Sequence, residues 1–358
     1  MKRIVFLLYI MCFLFTACAQ STLDSELRYG EFSGDYKFDE FLEQGGASSD
    51  KELIQFLLTN VVVKSDENIF TDKIYYGSGC STIQLGNEKD GFIFGRNFDW
   101  NKCNALVLKT NPVNGYKSIS TVNIDFIKAG AGSFKALLND SLINKIAAYA
   151  PLDGMNEKGL CVSVNMIQDS ERTNQNTSKP DITTTTAIRL LLDKAATTDE
   201  AVELLKKYDF HPSFGFCVHF AICDTYGKAV AVEYIDNEIS VVETPILTNF
   251  YVTPGKKYGI GTNQSHQRFE KLEQTLKRVQ GDRTSVKSDK MSLSNNFIER
   301  HSELVSESFM AKIMESVSKH NYNEFESTEW TVIFDQKNLT ATYYHRENYK
   351  KSWKFEIN

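Results

Sequence analysis

The sequence predicts an α+β protein in which antiparallel sheets are covered by helices, and three observations carry that prediction. An Asp90-Gly91 turn joins two strand-like runs, Cys80 to Leu85 and Gly91 to Phe98, which is a strong hairpin signal. A second hairpin pattern, Trp330 to Phe334 and Leu339 to Tyr344 around Gln336-Lys337-Asn338, closes the chain. Between them lie pairs of amphipathic helical segments, without the strict strand-helix alternation of a parallel sheet. With 358 residues, 42% hydrophobic and 12% aromatic, the chain can bury a sizeable core. A net charge of -6 with dispersed Lys and Arg offers no basic tract to a nucleic acid.

The N-terminus has Lys2 and Arg3, an unbroken apolar run from Ile4 to Phe15, and then small residues, the pattern of an export signal. That run is too short for a mature membrane span, and nothing later approaches the required length. Phe15-Thr16-Ala17-Cys18 looks like a bacterial lipobox with an unusual phenylalanine, which makes Cys18 the lipidated first residue of the mature chain. Ala17 and Ala19 offer an Ala-x-Ala site for ordinary cleavage instead. Residues 1–17 thus read as a signal, 18–79 as a leader and 80–358 as the main domain. Cys12 and Cys18 belong to the signal region, leaving Cys80, Cys103, Cys161, Cys217 and Cys223. An odd count without repeated CxxC spacing suggests a free thiol with a task.

The leader is polar and glycine-rich at first, and then Ser49-Asp50-Lys51-Glu52 forms a capping box ahead of Leu53, Ile54, Leu57 and Leu58. After the first hairpin, Leu106 to Phe126 is strand-like, Ser133 to Tyr149 helical and Gly159 to Met166 strand. Asp181 and Thr183 to Thr186 cap a helix carrying Leu190, Leu191 and Leu192, and Asp199 starts another. Cys217 to Cys223, Ala229 to Tyr234 and Ile239 to Glu243 form a meander. Helical periodicity returns from Ser265 to Val279 and from Phe297 to Val317, with Leu304 to Met314 as a core face.

Within the first hairpin, a turn centred near Glu88 and Lys89 sets Cys80 opposite Phe98, with Arg96 and Asp99 nearby. Arg96 and Asp99 are an odd number apart, so for both to serve one face a bend or bulge after Gly95 is required. A free cysteine at a strand start is ordinarily a small buried residue. Three features move Cys80 away from that reading. Gly77-Ser78-Gly79 allows close backbone approach, Arg96 would lower a thiol pKa, and Asp99 would orient an ammonium group.

Together these residues resemble the N-terminal nucleophile hydrolases of the choloylglycine hydrolase, penicillin V acylase and acid ceramidase family. Cys80-Ser81-Thr82 and Gly95-Arg96-Asn97-Phe98-Asp99 match the family's opening. Asp153 to Leu160 with Val164-Asn165, then Leu247-Thr248-Asn249, Gln267-Arg268-Phe269 and Trp330-Thr331-Val332, follow in the family's order. The resemblance implies a four-layer αββα fold and removal of a leader so that the cysteine's own α-amine becomes its base. An α-amine near pKa 7.7–8.0 suits neutral pH, and the six histidines form no obvious Cys/His constellation. By resemblance, Cys80 is nucleophile and base, Arg96 steadies the thiolate and Asp99 holds the α-ammonium. Asn165 donates to the oxyanion, where losing one donor costs roughly 10²–10³ in rate, and Asn249 and Arg268 complete the polar network. Self-processing between Gly79 and Cys80 follows as an expectation, with any lipid on Cys18 left on the released leader.

Other constellations have plainer readings. Cys217, His219 and Cys223 share strand parity, but no fourth metal ligand is evident and buried strand residues explain them. Asp153 and Glu157 read as a polar turn before a strand. No metal or cofactor is expected. The expected activity is hydrolysis of a linear N-acyl amide with an apolar acyl group: a bile salt, penicillin V, an N-acyl amino acid or a fatty acyl amine. A non-catalytic lipoprotein binding module and an acyltransferase to an amine acceptor are the alternatives, and a homo-oligomer is left open.

Overall fold

The computed structural model describes residues 20–62, 79–87, 89–131, 135, 138–168, 173–255, 258–288, 306–321 and 326–358. The signal, Cys18, Gly77, Ser78, Ser133 and residues 297–305 lie outside them. In chain order the elements are β1 Ser21–Asp24, β2 Leu27–Gly34, α1 Phe38–Glu43, α2 Asp50–Phe56, β3 Gly79–Asn87, β4 Gly91–Trp100, β5 Ala105–Pro112, β6 Ser118–Asn123, α3 Ile124–Gly130 and α4 Asp140–Ala147. Then come β7 Asp153–Asn156, β8 Cys161–Met166, β9 Asp181–Thr183, α5 Thr184–Lys194, α6 Thr198–Leu205, β10 Asp209–His211, β11 Val218–Cys223, β12 Ala229–Ile235 and β13 Glu238–Glu243. The chain closes with β14 Ile246–Leu247, α7 Asn263–Ser288, α8 Glu307–Ser316, β15 Ser327–Asp335, β16 Thr340–His345 and β17 Asn348–Glu356.

Among the described residues two large sheets form, in the orders β1-β2-β5-β6-β7-β8-β11-β12-β13 and β14-β3-β4-β15-β16-β17. Pairing in both is antiparallel except between β2 and β5. Strand alternation decides what each face of the smaller sheet meets. Phe98 stacks on Trp330 at 4.0 Å, and the Trp330 indole N–H donates to Asp153 of the larger sheet, so this face looks inward between the sheets. The opposite face carries Ile83, Ile93 and Ile333 against Leu272 of α7 and Met310 and Met314 of α8. Gly95 allows that helix its close approach, since a Cβ there would lie 2.7 Å from the Met310 sulfur. On the far side of the larger sheet, α5 presses Leu192 onto Gly154. The order is helices, sheet, sheet, helices, the expected αββα layering of an α+β protein.

Both leader strands differ from the sequence reading, which found only a helix there. The Ser49 hydroxyl does cap α2 by accepting from the Glu52 amide, but upstream β2 runs beside β5 from Leu27 to Gly34. Its mixed exposure and charged residues read as polar coil because only Leu27 and Gly30 are fully buried. The strand expected to run to Phe126 ends at Asn123, whose side chain caps α3 by accepting from Asp125. Thr183 donates its amide to the Thr186 hydroxyl at the start of α5, while Asp181, expected in the cap, pairs with His211 at 2.8 Å. The closing hairpin gains a third strand, β17, whose exposed Lys350, Lys351 and Lys354 mark a solvent-facing edge.

His345, in β16, is 5% exposed and its imidazole pKa falls from 6.5 to about 4, through burial first and then repulsion from Arg346. The unfolded chain takes up this proton near pH 6.5 and the folded chain only near 4, so stability present above 6.5 is lost as pH falls between those values. Denaturant titration at pH 7 and 4.5 is expected to cost the wild type about 2–3 kcal/mol more than His345→Gln. Equal losses would place the titration elsewhere.

Candidate active site

The β3–β4 ladder runs without a shift, pairing Cys80 with Phe98, Thr82 with Arg96 and Gly79 with Asp99. Cys80 and Arg96 therefore share the inward face, while Gly79, Ser81 and Asp99 share the face turned to α7 and α8. No bulge after Gly95 is present, which corrects the sequence expectation. The shift in β4's pairing lies instead on its other edge, opposite Thr328 and Trp330. The parity problem dissolves because Arg96 and Asp99 approach different parts of Cys80.

On the inward face, Arg96 Nη2 is 3.9 Å from Cys80 Sγ and donates to the Val164 carbonyl at 2.8 Å. Its Nη1 is held by Asp153 Oδ2 at 2.5 Å, with both side chains fully buried. Cys80 is 2% exposed, and burial pushes its thiol above the ordinary range, against the pull of Arg96 and with Asp99 adding to the rise. Arg96 pulls this pKa down as expected, but the net shift is upward because desolvation outweighs a guanidinium whose charge already faces Asp153. Beside the thiol lies a cavity of about 60 Å³ lined by Phe98, Trp100, Leu152, Val164, Met166 and Val218 among others.

On the helical face, the polar groups converge on the Cys80 backbone. Asn249 Oδ1 accepts from the Cys80 amide at 2.9 Å and from Arg268 Nη2 at 2.8 Å. Arg268 Nη1 donates to the Cys80 carbonyl and the Ser81 hydroxyl at 2.5 and 2.6 Å and stands 3.6 Å from Asp99 Oδ2. Asn249 is fixed in turn by its amide donating to Ser265 in α7 and its side chain donating to the Met166 carbonyl. Asp99 Oδ1 accepts from the Thr328 hydroxyl, whereas the buried Asp99 Oδ2 has no hydrogen-bond donor among the described residues.

Asn165 stands one step away. Its Nδ2 donates to the carbonyls of Leu247 and Thr248 at 3.3 and 3.1 Å and makes no hydrogen bond to Cys80. It ties β8 to the segment that carries Asn249. The structure therefore brings Cys80, Arg96, Asp99, Asn249 and Arg268 together, with Asn165 behind them.

Two contributors escaped the sequence reading. Asp153, read as a turn residue, is a fully buried strand residue that anchors both Arg96 and Trp330. Its signal was only an acidic residue amid polar neighbours, and polarity of that kind marks turns far more often than buried pairs. Lys319 follows α8, and its Nζ pairs with Glu326 at 2.5 Å. A Cβ on Gly79 would lie 2.7 Å from Asp99 Oδ2 and 2.9 Å from Lys319 Nζ, so the backbone before the cysteine has no room for a side chain. No local pattern points to Lys319. His219 presents both ring nitrogens to oxygens, Glu233 Oε1 and the Thr248 carbonyl, each at 3.0 Å. Cys217 packs with Ile167, Ile235 and Tyr251 in a separate cluster from Cys223.

The chain is similar to known proteins in sequence and in fold. A penicillin V acylase from Pectobacterium atrosepticum is 24% identical over 222 residues, or 52% of this chain, and the chain spans 57% of that relative's length. The crystal structure of a mutant conjugated bile acid hydrolase from Clostridium perfringens superposes with a TM-score of 0.53 at 16% identity, covering 77% of this chain and 92% of that one. At that identity the likeness shows the fold, that of the N-terminal nucleophile hydrolases. Residues 86–350 match a family model, and the chain belongs to the acyl-coenzyme A:6-aminopenicillanic acid acyl-transferase family.

Proposed function

We propose that this chain is an amidase of the penicillin V acylase and bile acid hydrolase type, activated by a cut between Gly79 and Cys80. The observation that carries the reading is the polar cradle around the Cys80 nitrogen. Asn249 accepts from it, and the buried Asp99 Oδ2 on the same face lacks a donor. A free α-ammonium supplies that donor, and a peptide nitrogen with its single N–H does not.

In the cut, Cys80 Sγ attacks the Gly79 carbonyl carbon and the C–N bond breaks. The thiol proton passes to the departing nitrogen, and Gly79 is left as a thioester. Water then hydrolyses the thioester to a Gly79 carboxylate and restores the thiol. In turnover the freed amine takes the thiol proton, and the thiolate adds to the amide carbonyl of a substrate. The collapsing intermediate returns the proton to the leaving amine, and water releases the acyl group from sulfur. The apolar cavity beside Sγ suits an acyl group without charge. Asn249 and Asn165 are the amides available to an oxyanion, Asn165 once its hold on Leu247 and Thr248 loosens.

Intact mass and N-terminal sequencing of the purified protein test this reading. A chain starting at Cys80 that hydrolyses acyl amides supports it, and a full-length chain that hydrolyses none would sink it. Gly79→Val is expected to slow the cut at least tenfold, because its branched side chain must displace Asp99 or Lys319. Uncut protein followed by mass over time measures this, and an unchanged rate would show that those side chains yield freely. Export by residues 1–17 and lipidation of Cys18 complete the proposal, and palmitate incorporation that is lost in Cys18→Ala is its check.

The family match favours one second reading. Its description is an acyl-transferase, and passing the acyl group to an amine instead of water uses the same thioester. Product analysis with an added amine acceptor separates the two.

A further inference from the structure

A second, larger apolar cavity lies beyond the one at the thiol. It measures about 100 Å³ and is walled by Leu53, Ile54, Leu57 and Leu58 of the leader on one side and by Leu142 and Ile146 of α4 on the other. Phe126, Thr185, Ser213 and Phe214 line both cavities, so the two chambers meet at a common wall. A run of rings leads to that wall from the thiol. Phe98 stacks with Trp100 at 5.9 Å, Trp100 meets Phe126 at 5.5 Å, and Phe126 meets Phe214 at 5.2 Å.

Phe214 marks the boundary in an unusual way. Its backbone is left-handed, φ 55° and ψ 10°, a conformation that non-glycine residues adopt at some cost. Its amide donates to Asp50 Oδ2 of α2 at 2.6 Å. A leader carboxylate thus holds the residue that separates the chambers. Burial raises the Asp50 pKa while the Phe214 amide opposes the rise.

The geometry points to the second chamber as the site for the far end of the substrate's acyl chain: a long, uncharged alkyl tail, bonded at Cys80 and passing Phe214 to rest against the leader helix. This rests on the amidase reading and extends it to the substrate class. The thiol-side cavity alone, at about 60 Å³, holds a handful of water-sized groups. Longer tails reach the larger space, where each buried methylene is worth about a fourfold gain in kcat/KM.

Processed enzyme with p-nitroanilides of straight-chain acids from four to sixteen carbons tests this. The wild type is expected to gain steadily beyond eight carbons. Ala150→Phe and Ala131→Phe, each in the second chamber's lining and neither lining the cavity beside Cys80, are expected to lower the ratio of fourteen-carbon to four-carbon kcat/KM at least 30-fold. Turnover of the four-carbon amide shows that each variant has folded. A wild-type profile that is flat or falls beyond eight carbons, or an unchanged ratio in the variants, overturns the proposal.

Binding of cis-parinaric acid, an 18-carbon fluorescent fatty acid, gives an arm that needs no turnover. Saturable binding weakened at least tenfold by Ala150→Phe supports the chamber, and no binding, or binding indifferent to both variants, rejects it. Wild type that binds the probe yet hydrolyses none of the amides would fail the amidase reading and leave the chamber standing. Wild type that hydrolyses short amides but neither binds the probe nor favours long chains would do the reverse.

Discussion

Cys80→Ala protein is expected to remain uncut before residue 80 and to lose amide turnover by more than about 10⁴-fold. The size follows from what the thiol does in the proposed chemistry. It forms the bond to the acyl carbon in both the cut and the turnover, and among the described residues lining the cavity Cys80 is the only thiol, beside the weaker hydroxyls of Thr184, Thr185 and Ser213. The fold should survive, because removing one sulfur from a site 2% exposed leaves a small void and no stranded charge. Intact mass, acyl-amide assay and a thermal melt read the three parts separately. A Cys80→Ala chain still cut at Gly79 would assign the cut to another protease. One that still hydrolyses amides would remove Cys80 from the mechanism.

Asp153→Asn tests the charge beneath the thiol. Asp153 and Arg96 are both inaccessible to solvent and 2.5 Å apart. Removing one partner strands the other's charge in the interior, at a cost of about 3–5 kcal/mol, or a fall in Tm on the order of 10 °C. Arg96, released from its carboxylate, then acts more strongly on Cys80. The thiol pKa should fall, read as a shift of the iodoacetamide alkylation profile to lower pH. Replacing both, as Arg96→Met with Asp153→Leu, is expected to recover most of the stability while activity stays lost. A Tm within 2 °C of wild type for Asp153→Asn would mean that the pair carries little.

The hairpin that holds the nucleophile was legible because it is local. Turn residues and strand lengths fix a register, and Cys80 sits opposite Phe98 as the spacing requires. The same spacing was misleading about geometry, since it required Arg96 and Asp99 to share one face and so called for a bulge after Gly95 that the ladder does not have. Which face each residue serves becomes clear only when the second sheet and α7 are in place, with Asp153 on one side and Arg268 on the other. The net shift of the thiol was out of reach for the same reason: the pull of a nearby guanidinium could be read, but the burial that outweighs it could not until the layers close. The strands of the leader were hidden because β2 finds its partner, β5, more than seventy residues later, and non-local parallel pairing leaves no period in either segment. The apolar face of α2 and of the turn after it could be read from Leu53, Ile54 and Leu57. What it faces, α3 and α4 across a cavity, could not.

The seat of β2 beside β5 bears on how such a molecule ages. While the chain is continuous, the strand is delivered to its place by its own tether, at the high effective concentration of an intramolecular partner. With the proposed cut before Cys80 made, that delivery would become a second-order encounter between two polypeptides. Refolding would then slow in proportion to dilution, although the native state keeps its contacts. Mature protein denatured and diluted should recover poorly, and better as its concentration rises, while the uncut Cys80→Ala chain recovers at a rate indifferent to concentration. Maturation on this account runs one way. A molecule cut as proposed would persist only as long as it stayed folded, and on opening it would lose the means of returning.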